Sequence, residues 1–340
     1  MPASRRVDKQ CPIPGNSVEI RCKVAHETMP PPNDFRRTEP LHPRNRHQGR
    51  YDLKRLVQVH PALGRFVARN AYGDDSIDFA DPVAVRTLNA ALLGDWHGVV
   101  GWDLPEGFLC PPIPGRADYL HHAADLLAGD TQSAPPRGRP VRVLDVGTGA
   151  SVIYPLIGHG EYGWSFVGSE VDPQAIASAQ CILRANPRHA QAIELRRQTH
   201  PQHIFNGIVH PGEAFALIVC NPPFHVSAAA AREGSQRKWR NLGRADGGRQ
   251  APNLNFGGQA GELWCPGGEI GFIGRMIGES TALGSRCRWF TSLVARQEHV
   301  GQLQALARKA GATDVRVVPM GQGQKQSRFI AWTFVSVALR

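Results

Sequence analysis

The chain has 340 residues, enough for one large domain or two moderate ones around a real hydrophobic core. Its formal net charge of +10 and pI near 9.6 favour a polyanionic partner over an acidic metabolite. No apolar run approaches the roughly 18 residues that cross a bilayer, and the first residues lack a signal-peptide core, so we expect a cytoplasmic protein without membrane contact. The seven scattered cysteines include no C-x-x-C pair, so we expect neither a disulfide framework nor a metal site.

The first part of the chain is predicted to be a basic tail followed by helices. Residues 1–38 mix proline, charge and small polar types without sustained periodicity, so we expect a flexible tail. A recurring apolar face in "YDLKRLVQVHPALGRFVARN" predicts a helix that is interrupted at Pro61. Asp81 and Pro82 are the N-cap and first residue of a second helix, and "GRADYLHHAADLLAG" predicts a third. We therefore expect a helical N-terminal module over 39–135, ending in a linker rich in glycine and proline.

From residue 136 the pattern changes to short apolar strands that alternate with helices, which is typical of a parallel sheet covered on both faces. We therefore predict the α/β class, with a doubly wound, Rossmann-like sheet over 136–340. The strands are expected near 141–146, 165–171, 192–197, 214–220, 288–295, 313–319 and 328–337, and the helices near 152–158, 173–186, 265–282 and 299–311. Residues 225–264 show little periodicity and predict a functional insertion or a disordered loop.

The strand "VRVLDV" runs into a glycine turn that predicts a cofactor site. Asp145 lies near the end of the strand, and the Gly147-Thr148-Gly149 turn lets the backbone approach a ligand closely at the carboxyl edge of the sheet. A dinucleotide-binding fingerprint would carry a third glycine where Val152 stands, so the match to NAD binding is incomplete. A P-loop is excluded, because no Gly-Lys-Ser/Thr follows the glycines.

A carboxylate at the end of the next strand strengthens the prediction of a cofactor site. Glu170 ends "WSFVGSE", where a carboxylate can accept hydrogen bonds from ribose hydroxyls. The alternative is that Glu170 only caps the following helix, but Asp172 and Pro173 already supply a cap and a first helical residue. Nucleoside binding is therefore the favoured interpretation.

The stretch "VCNPPFH" predicts a catalytic loop at the same edge of the sheet. The strand "AFALIVC" ends where Asn221, Pro222, Pro223 and Phe224 begin. Proline restricts Asn221 to an extended backbone, and the two prolines remove two N–H donors, which leaves fixed carbonyl oxygens. The side-chain oxygen of Asn221 and the carbonyl of Pro222 are acceptors for a planar NH2 group, and Phe224 offers a ring on which a base can stack.

These acceptors suit the activation of an aromatic amine such as that of adenine. Such an amine is a poor nucleophile because its lone pair is delocalised into the ring, and two acceptors stabilise the partly positive nitrogen that develops during attack. S-adenosylmethionine held by the glycine turn and Glu170 would supply an electrophilic methyl group, so catalysis would act largely by positioning. The alternative is a proline-stiffened loop that only closes a strand.

The motifs together resemble a known enzyme family. "HPRNRHQGRYD", "DFADPVAVRTLNAALL", "WDLPEGFLCPPIPGRADYLHHAADLL", "GTGASVIYPLIG", "CNPPFH", "NFGGQAGELWCPGGE" and "GQGQKQSRFIAWTF" resemble the bacterial RlmF-type 23S ribosomal RNA adenine-N6 methyltransferases, and their eukaryotic relative that acts on U6 small nuclear RNA. The resemblance covers most of residues 40–335. It implies a Rossmann-like enzyme that uses S-adenosylmethionine to methylate the N6 amine of an adenine in large-subunit ribosomal RNA.

The resemblance also implies roles for individual residues. Arg116 and Ser151 would contact the methionyl end of the cofactor, and Gly147 would contact the cofactor through its backbone. Glu170 would contact the ribose and Thr199 the adenine end. The predicted cofactor residues are Arg116, Asp145, Gly147, Thr148, Gly149, Ser151, Glu170, Thr199 and Asn221. The role of Arg116 depends on the resemblance alone, since the sequence pattern is equally typical of a surface arginine at a helix start.

Basic segments predict the RNA-binding surface. The insertion carries Arg237, Lys238 and Arg240 around Trp239, a combination that suits phosphates and splayed bases. A second basic patch in the N-terminal module contains Arg44, Arg46 and Arg50, which predicts that this module binds RNA or acts as a lid, and Lys325 lies in a predicted hairpin loop. The alternative is that these segments are ordinary solvated loops. The target adenine has to be unpaired or flipped out to reach the methyl donor.

Two other functions remain open from the sequence. The same acceptor geometry would hold the amide of a protein glutamine, although the basic surfaces and Phe224 favour RNA. The protein could also be a non-catalytic RNA-binding assembly factor that uses the cofactor as a sensor. We expect a monomer in either case.

Overall fold

The computed structural model describes residues 40–129, 134–227, 263–322 and 325–336. The predicted tail over 1–38 lies outside the described residues, as do Arg237, Lys238 and Arg240 of the predicted insertion. Within the described part of the chain, no helix is long and apolar enough to cross a membrane.

The N-terminal part contains helices joined by irregular segments. Helix α1 spans Leu53–Val59 and is followed by a 3-10 helix over Pro61–Phe66. Helices α2 and α3 span Pro82–His97 and Ile113–Ala128. The predicted cap is confirmed, since the Asp81 side chain accepts a hydrogen bond from the Val83 N–H at 2.8 Å. The division into a helical module and a methyltransferase domain stays a prediction.

The helical pattern ends earlier than the sequence indicated. The structure places strands β1 (Ala68–Arg69) and β2 (Asp75–Ser76) in an antiparallel hairpin after Phe66. Asn70 causes this turn, because its side-chain oxygen accepts hydrogen bonds from the backbone of Tyr72 and Asp74. Each strand has only two residues, too few to show an alternating pattern.

The second part of the chain forms the predicted alternation of strands and helices. The strands are β3 (Arg142–Val146), β4 (Ser165–Glu170), β5 (Ile193–Arg197), β6 (Phe215–Cys220), β7 (Cys287–Leu293), β8 (Asp314–Gln322) and β9 (Lys325–Thr333). The helices are α4 (Ile153–Tyr162), α5 (Pro173–Ala185), α6 (Pro187–Ala190), α7 (Gly268–Leu283) and α8 (Val300–Lys309). Each predicted strand and helix of this part is present within a few residues of its expected position.

The strands form a seven-stranded sheet with the order β5-β4-β3-β6-β7-β9-β8. Strands β3 to β7 are parallel, and β9 is antiparallel to both of its neighbours. The chain proceeds outward from β3 to β5 and then returns to β6 on the other side of β3. The doubly wound fold is therefore confirmed, and its crevice lies between the carboxyl ends of β3 and β6.

Hydrophobic cores cover both faces of the sheet. Val143 and Leu217 face a core that also contains Leu120 of α3, whereas their neighbours Leu144 and Ile218 face a second core beneath α7 and α8. The alternation follows from the two-residue period of a strand, and burial on both faces explains the continuous apolar runs. Each large side chain buried in this way stabilises the fold by about 1.5–3 kcal/mol.

Buried histidines pack where the N-terminal segment meets the sheet domain. Burial lowers the pKa of His47 to about 4, and that of His97 and His121 to about 3. The His47 ring lies 4.5 Å from the Trp96 ring, and Nδ1 of His121 lies 2.6 Å from the hydroxyl of Tyr162. These imidazoles are neutral in the folded chain and take up protons when the chain unfolds in mild acid.

We expect the free energy of unfolding to decrease as the pH falls from about 6.5 toward 4, because a folded-state pKa below the unfolded value contributes stability that is present above the unfolded pKa. Each of these histidines contributes a slope of about 1.4 kcal/mol per pH unit in this window. Denaturant unfolding measured across the window tests this. His97→Leu should reduce the slope, and a flat wild-type profile would contradict the prediction.

Candidate active site

The glycine turn and the NPPF loop lie side by side at the carboxyl edge of the sheet. Val146 of β3 is paired with Cys220 of β6, so Gly147 and Asn221 leave adjacent strands at the same level. A cavity of about 340 Å³ opens at this point. Of the predicted site residues, the structure brings these eight to its lining: Arg116, Gly147, Thr148, Gly149, Ser151, Glu170, Asn221 and Pro223.

The glycine turn is shaped by left-handed backbone conformations. Gly147 and Gly149 have φ values of +74° and +65°, and the N–H groups of Gly147 and Thr148 both donate to the Ser169 carbonyl at 3.0 Å. Val152 has φ +47° and is the only non-glycine residue with positive φ among the described residues. Such a conformation is costly for a β-branched residue, and strain of this kind is concentrated at functional sites.

Glu170 connects the second strand to this turn. One carboxylate oxygen accepts from the Gly149 N–H at 3.0 Å, and the other accepts from Val171 and Asp172 at 2.8 and 3.0 Å. Burial raises the pKa of Glu170, and these three donors oppose that shift. Asp172 caps α5 by accepting from Gln174, as predicted, so Glu170 is not the cap of that helix.

Asp145 lies behind the glycine turn rather than in the lining of the cavity. Its side chain is fully buried, and the Thr148 side chain is the hydrogen-bonding group beside its carboxylate. Burial and the nearby Glu170 raise the pKa of Asp145 to about 7, whereas the hydrogen bond from Thr148 and the charge of Arg116 oppose the shift. The charge of this carboxyl therefore changes near neutral pH.

Arg116 reaches the cavity from α3. Its guanidinium donates to the hydroxyl of Tyr154 at 2.9 Å and lies 5.5 Å from the centre of that ring. Both residues line the cavity. The structure therefore does not leave Arg116 as an isolated surface arginine.

The NPPF loop presents an unsatisfied acceptor. The side-chain oxygen of Asn221 is buried and has no hydrogen-bond partner among the described residues, although Asn221 lines the cavity. Pro223 also lines the cavity, whereas Pro222 is buried and Phe224 is half-buried outside the lining. A buried acceptor without a partner costs free energy unless a ligand satisfies it.

The chain that returns from the predicted insertion completes one wall of the cavity. The His225 N–H donates to Leu263, and the Cys265 N–H donates back to His225, which forms an isolated parallel bridge. The bridge places Trp264 and Cys265 in the cavity lining, together with Phe272 and Arg275 of α7. Trp264 and Cys265 belong to a motif that carries the family resemblance, but no site role was predicted for them, because their position depends on how the chain returns after the insertion.

The loop after β5 forms the wall near Glu170, but it uses other residues than predicted. Thr199 is exposed outside the lining, whereas its neighbour Gln198 and the residues His203 and Ile204 line the cavity. Glu279 of α7 holds this loop, because its carboxylate accepts from the N–H groups of Ile204 at 2.9 Å, Phe205 at 2.8 Å and Asn206 at 3.2 Å. A single carboxylate thus fixes three successive peptides.

The predicted RNA-binding arginines of the N-terminal segment are ion-paired. Arg44 pairs with Asp125 at 2.6 Å, Arg46 with Glu161 at 3.0 Å and Arg50 with Asp74. Arg50 keeps 80% of its side chain exposed, whereas Arg44 keeps only 34%. Lys325 begins β9 at the hairpin with β8, as the sequence indicated, but its side chain lies outside the described ones.

Comparison with known proteins shows the family. A family profile described as RNA methyltransferase matches residues 35–336. The chain belongs to this RNA methyltransferase family. The Ribosomal RNA large subunit methyltransferase F of Pseudomonas paraeruginosa is 56% identical over 309 residues, covering 91% of this chain and 92% of the relative. The protein of the same name from Ectopseudomonas mendocina is 56% identical over 294 residues, covering 86% and 88%.

Solved structures of human METTL16 resemble this methyltransferase. The hMettl16 catalytic domain in complex with MAT2A 3'UTR hairpin 1 has a TM-score of 0.72 and 28% identity, covering 88% of this chain and 97% of that one. The N-terminal domain of human METTL16 in complex with SAH has a TM-score of 0.67 and 25% identity, covering 88% and 100%. The methyltransferase is therefore an enzyme of the Rossmann-like class whose cofactor is S-adenosylmethionine.

The site fits this cofactor. The cavity is in the range of about 300–1,000 Å³ that is common for ligand pockets. The side-chain oxygen of Asn221, which lines the cavity, is buried without a hydrogen-bond partner among the described residues, so the site offers an unsatisfied polar atom. Glu170 and Arg116, which the family resemblance implies contact the ribose and the methionyl end, both belong to the lining. No group of metal-binding side chains occurs in the described ranges.

We expect Glu279→Ala to raise the KM for S-adenosylmethionine about tenfold, because the loop over 198–206 loses its anchor, while kcat changes little. Steady-state kinetics with varied cofactor measure both constants. Glu298→Ala is the control, since this glutamate is 71% exposed and bonds to Arg296 outside the cavity. Equal KM values in both variants would contradict the prediction.

We expect the affinity for S-adenosylmethionine to increase as the pH rises through about 7, because the ionised Asp145 attracts the positively charged cofactor. Asp145→Asn should bind with little dependence on pH. Calorimetric titration between about pH 6 and 8 tests this. A wild-type affinity that is constant across this range would contradict the role given to Asp145.

Proposed function

We propose that the enzyme transfers a methyl group from S-adenosylmethionine to the N6 amine of an adenine in large-subunit ribosomal RNA. The relatives named Ribosomal RNA large subunit methyltransferase F support the substrate class. The unsatisfied oxygen of Asn221, placed beside the glycine turn, supports the chemistry.

Asn221 and Pro222 would hold the amine. The Asn221 oxygen accepts one amine hydrogen and the Pro222 carbonyl accepts the other, which concentrates the lone pair on the nitrogen. S-adenosylmethionine, when bound, supplies the electrophilic methyl group. The side chains that line the cavity keep both partners in one place, so most of the rate enhancement comes from positioning.

The methylated nitrogen carries a positive charge until it releases its proton to water, so no dedicated base is needed. Asn221 and Pro222 stabilise that charge with their carbonyl oxygens. Phe224 is half-buried next to the two prolines. We propose that its ring stacks on the target base once the base has entered the site.

RNA binding would combine the predicted basic segments. We propose that Arg44, Arg46 and Arg50 contact phosphates, with Arg237, Lys238, Arg240 and Lys325 as further contacts. The ion pairs of Arg44, Arg46 and Arg50 determine how readily each of these arginines can contact a phosphate. Arg50 is the most exposed of the three and is best placed to exchange a carboxylate for a phosphate, whereas Arg44 also donates to the His121 carbonyl and serves mainly to fix the segment.

The remaining expectations follow from the same substrate. A ribosomal RNA substrate would place the enzyme in the cytoplasm. We propose that it acts as a monomer without a metal ion and that residues 39–135 form its RNA-binding or lid module.

We expect Asn221→Ala to lower kcat for ribosomal RNA methylation by about 10²–10³, since one preorganised acceptor of the transition state is lost. The substrate is deproteinised large-subunit ribosomal RNA that lacks the modification, and nucleoside analysis identifies the product. Gln302→Ala, at an exposed position on α8, is the control. Calorimetry confirms that the variant still binds the cofactor.

Other outcomes would favour other functions. Label in a protein glutamine rather than in RNA would favour the amide methyltransferase. Full biological function of Asn221→Ala would favour an assembly factor that senses its cofactor.

A further inference from the structure

Strand β6, which carries the catalytic loop, separates from β7 just before the loop begins. Strands β6 and β7 are paired up to Ile218 and Phe290. Beyond this pair, side-chain hydroxyls take the place of the ladder. Thr291 Oγ1 donates to the Ile218 carbonyl at 2.8 Å, Tyr119 Oη lies 2.6 Å from Thr291 Oγ1, and the Cys220 N–H donates to Tyr119 Oη at 3.3 Å.

The directions of these hydrogen bonds are fixed by counting protons. Thr291 has one hydroxyl proton, which goes to the Ile218 carbonyl. Tyr119 therefore donates its own proton to Thr291 and accepts from the Cys220 N–H. All four residues are fully buried. The chain of bonds is satisfied at each atom, and in such a dry environment consecutive hydrogen bonds strengthen one another.

The chain of bonds ends one residue before the catalytic asparagine. Cys220 precedes Asn221 directly, and the two prolines that follow permit little rotation. The direction of the Cys220 peptide therefore determines where the Asn221 side chain points. The reaction rate depends steeply on the distance between the reacting atoms. A small rotation of this peptide should therefore change the rate more than it changes the stability of the fold.

Tyr119 also connects this loop to the cofactor side of the cavity. It lies on α3 one turn after Arg116, and its ring packs edge-on against Tyr154 at 5.6 Å. Tyr154 in turn accepts the hydrogen bond of Arg116. A single buried tyrosine thus contacts the residue before Asn221 and the partner of Arg116.

We propose that Tyr119 and Thr291 are positioning residues that orient the catalytic loop for methyl transfer. The proposal rests on the proposed function of Asn221. The pair touches neither substrate nor cofactor, so its effect should appear in kcat and in the order of the loop rather than in cofactor binding.

Single-atom variants test the pair. Tyr119→Phe removes one oxygen and keeps the ring, Thr291→Val removes the hydroxyl and keeps the shape, and Thr291→Ser retains the hydroxyl. Tyr162→Phe is the matched control, because Tyr162 is also buried and its hydroxyl contacts His121 and Arg44 rather than the Cys220 peptide. The readouts are kcat, the KM for cofactor, and hydrogen exchange of the peptide that contains Cys220 and Asn221.

We expect Tyr119→Phe and Thr291→Val to lower kcat about tenfold or more, with the KM for cofactor changed by less than about twofold. Both variants should also increase exchange in the Cys220 peptide. Thr291→Ser should restore kcat and protection, and Tyr162→Phe should change neither. If Tyr119→Phe does not fold, the comparison of Thr291→Val with Thr291→Ser decides.

Unchanged kcat and exchange in Tyr119→Phe would overturn the proposal, as would an equal loss of kcat in Tyr162→Phe. Failure of the proposed function is distinguishable, because the wild type itself would then give no N6-methyladenosine. In that case the exchange measurement alone decides whether Tyr119 and Thr291 order the loop. Unaltered protection in Tyr119→Phe and Thr291→Val would then overturn the proposal.

Discussion

The pairing of β3 with β6 is the constraint from which the site follows. These strands come from distant parts of the chain, and their parallel register ends both at the same level, at Val146 and Cys220. The glycine turn and the NPPF loop are therefore neighbours even though Gly149 and Asn221 lie 72 positions apart in the sequence. The remaining strands lie outward from this pair, so the fold can vary at its edges without moving the two loops relative to each other.

Polar atoms at the site fall into two groups that differ in how they are satisfied. Glu170 and Glu279 each accept several backbone hydrogen bonds, so they hold the scaffold, and Glu170 keeps room for a further donor. Asn221 instead presents a buried side-chain oxygen with no hydrogen-bond partner in the described part of the chain. Unsatisfied atoms cost stability in the free enzyme, and this cost is returned when a ligand binds.

Much of the fold was readable from the sequence, because strands buried on both faces give long apolar runs and glycine turns give sharp ends. The same pattern located Gly147, Glu170 and Asn221, which the strands themselves place. Arg116 was indicated only by family resemblance, since a helix start gives no information about what the side chain contacts. Thr199 and Gln198 show the limit, because the direction of a loop side chain depends on tertiary hydrogen bonds such as those made by Glu279.

The bridge between His225 and the segment 263–265 has a further consequence for how this enzyme can change over evolutionary time. It brings the described residues on either side of 228–262 together at the rim of the cavity. Lengthening a segment whose two ends are already held together costs little, about 0.6 kcal/mol for each doubling of its length. The number of residues in this segment can therefore change while the walls of the cavity stay in place.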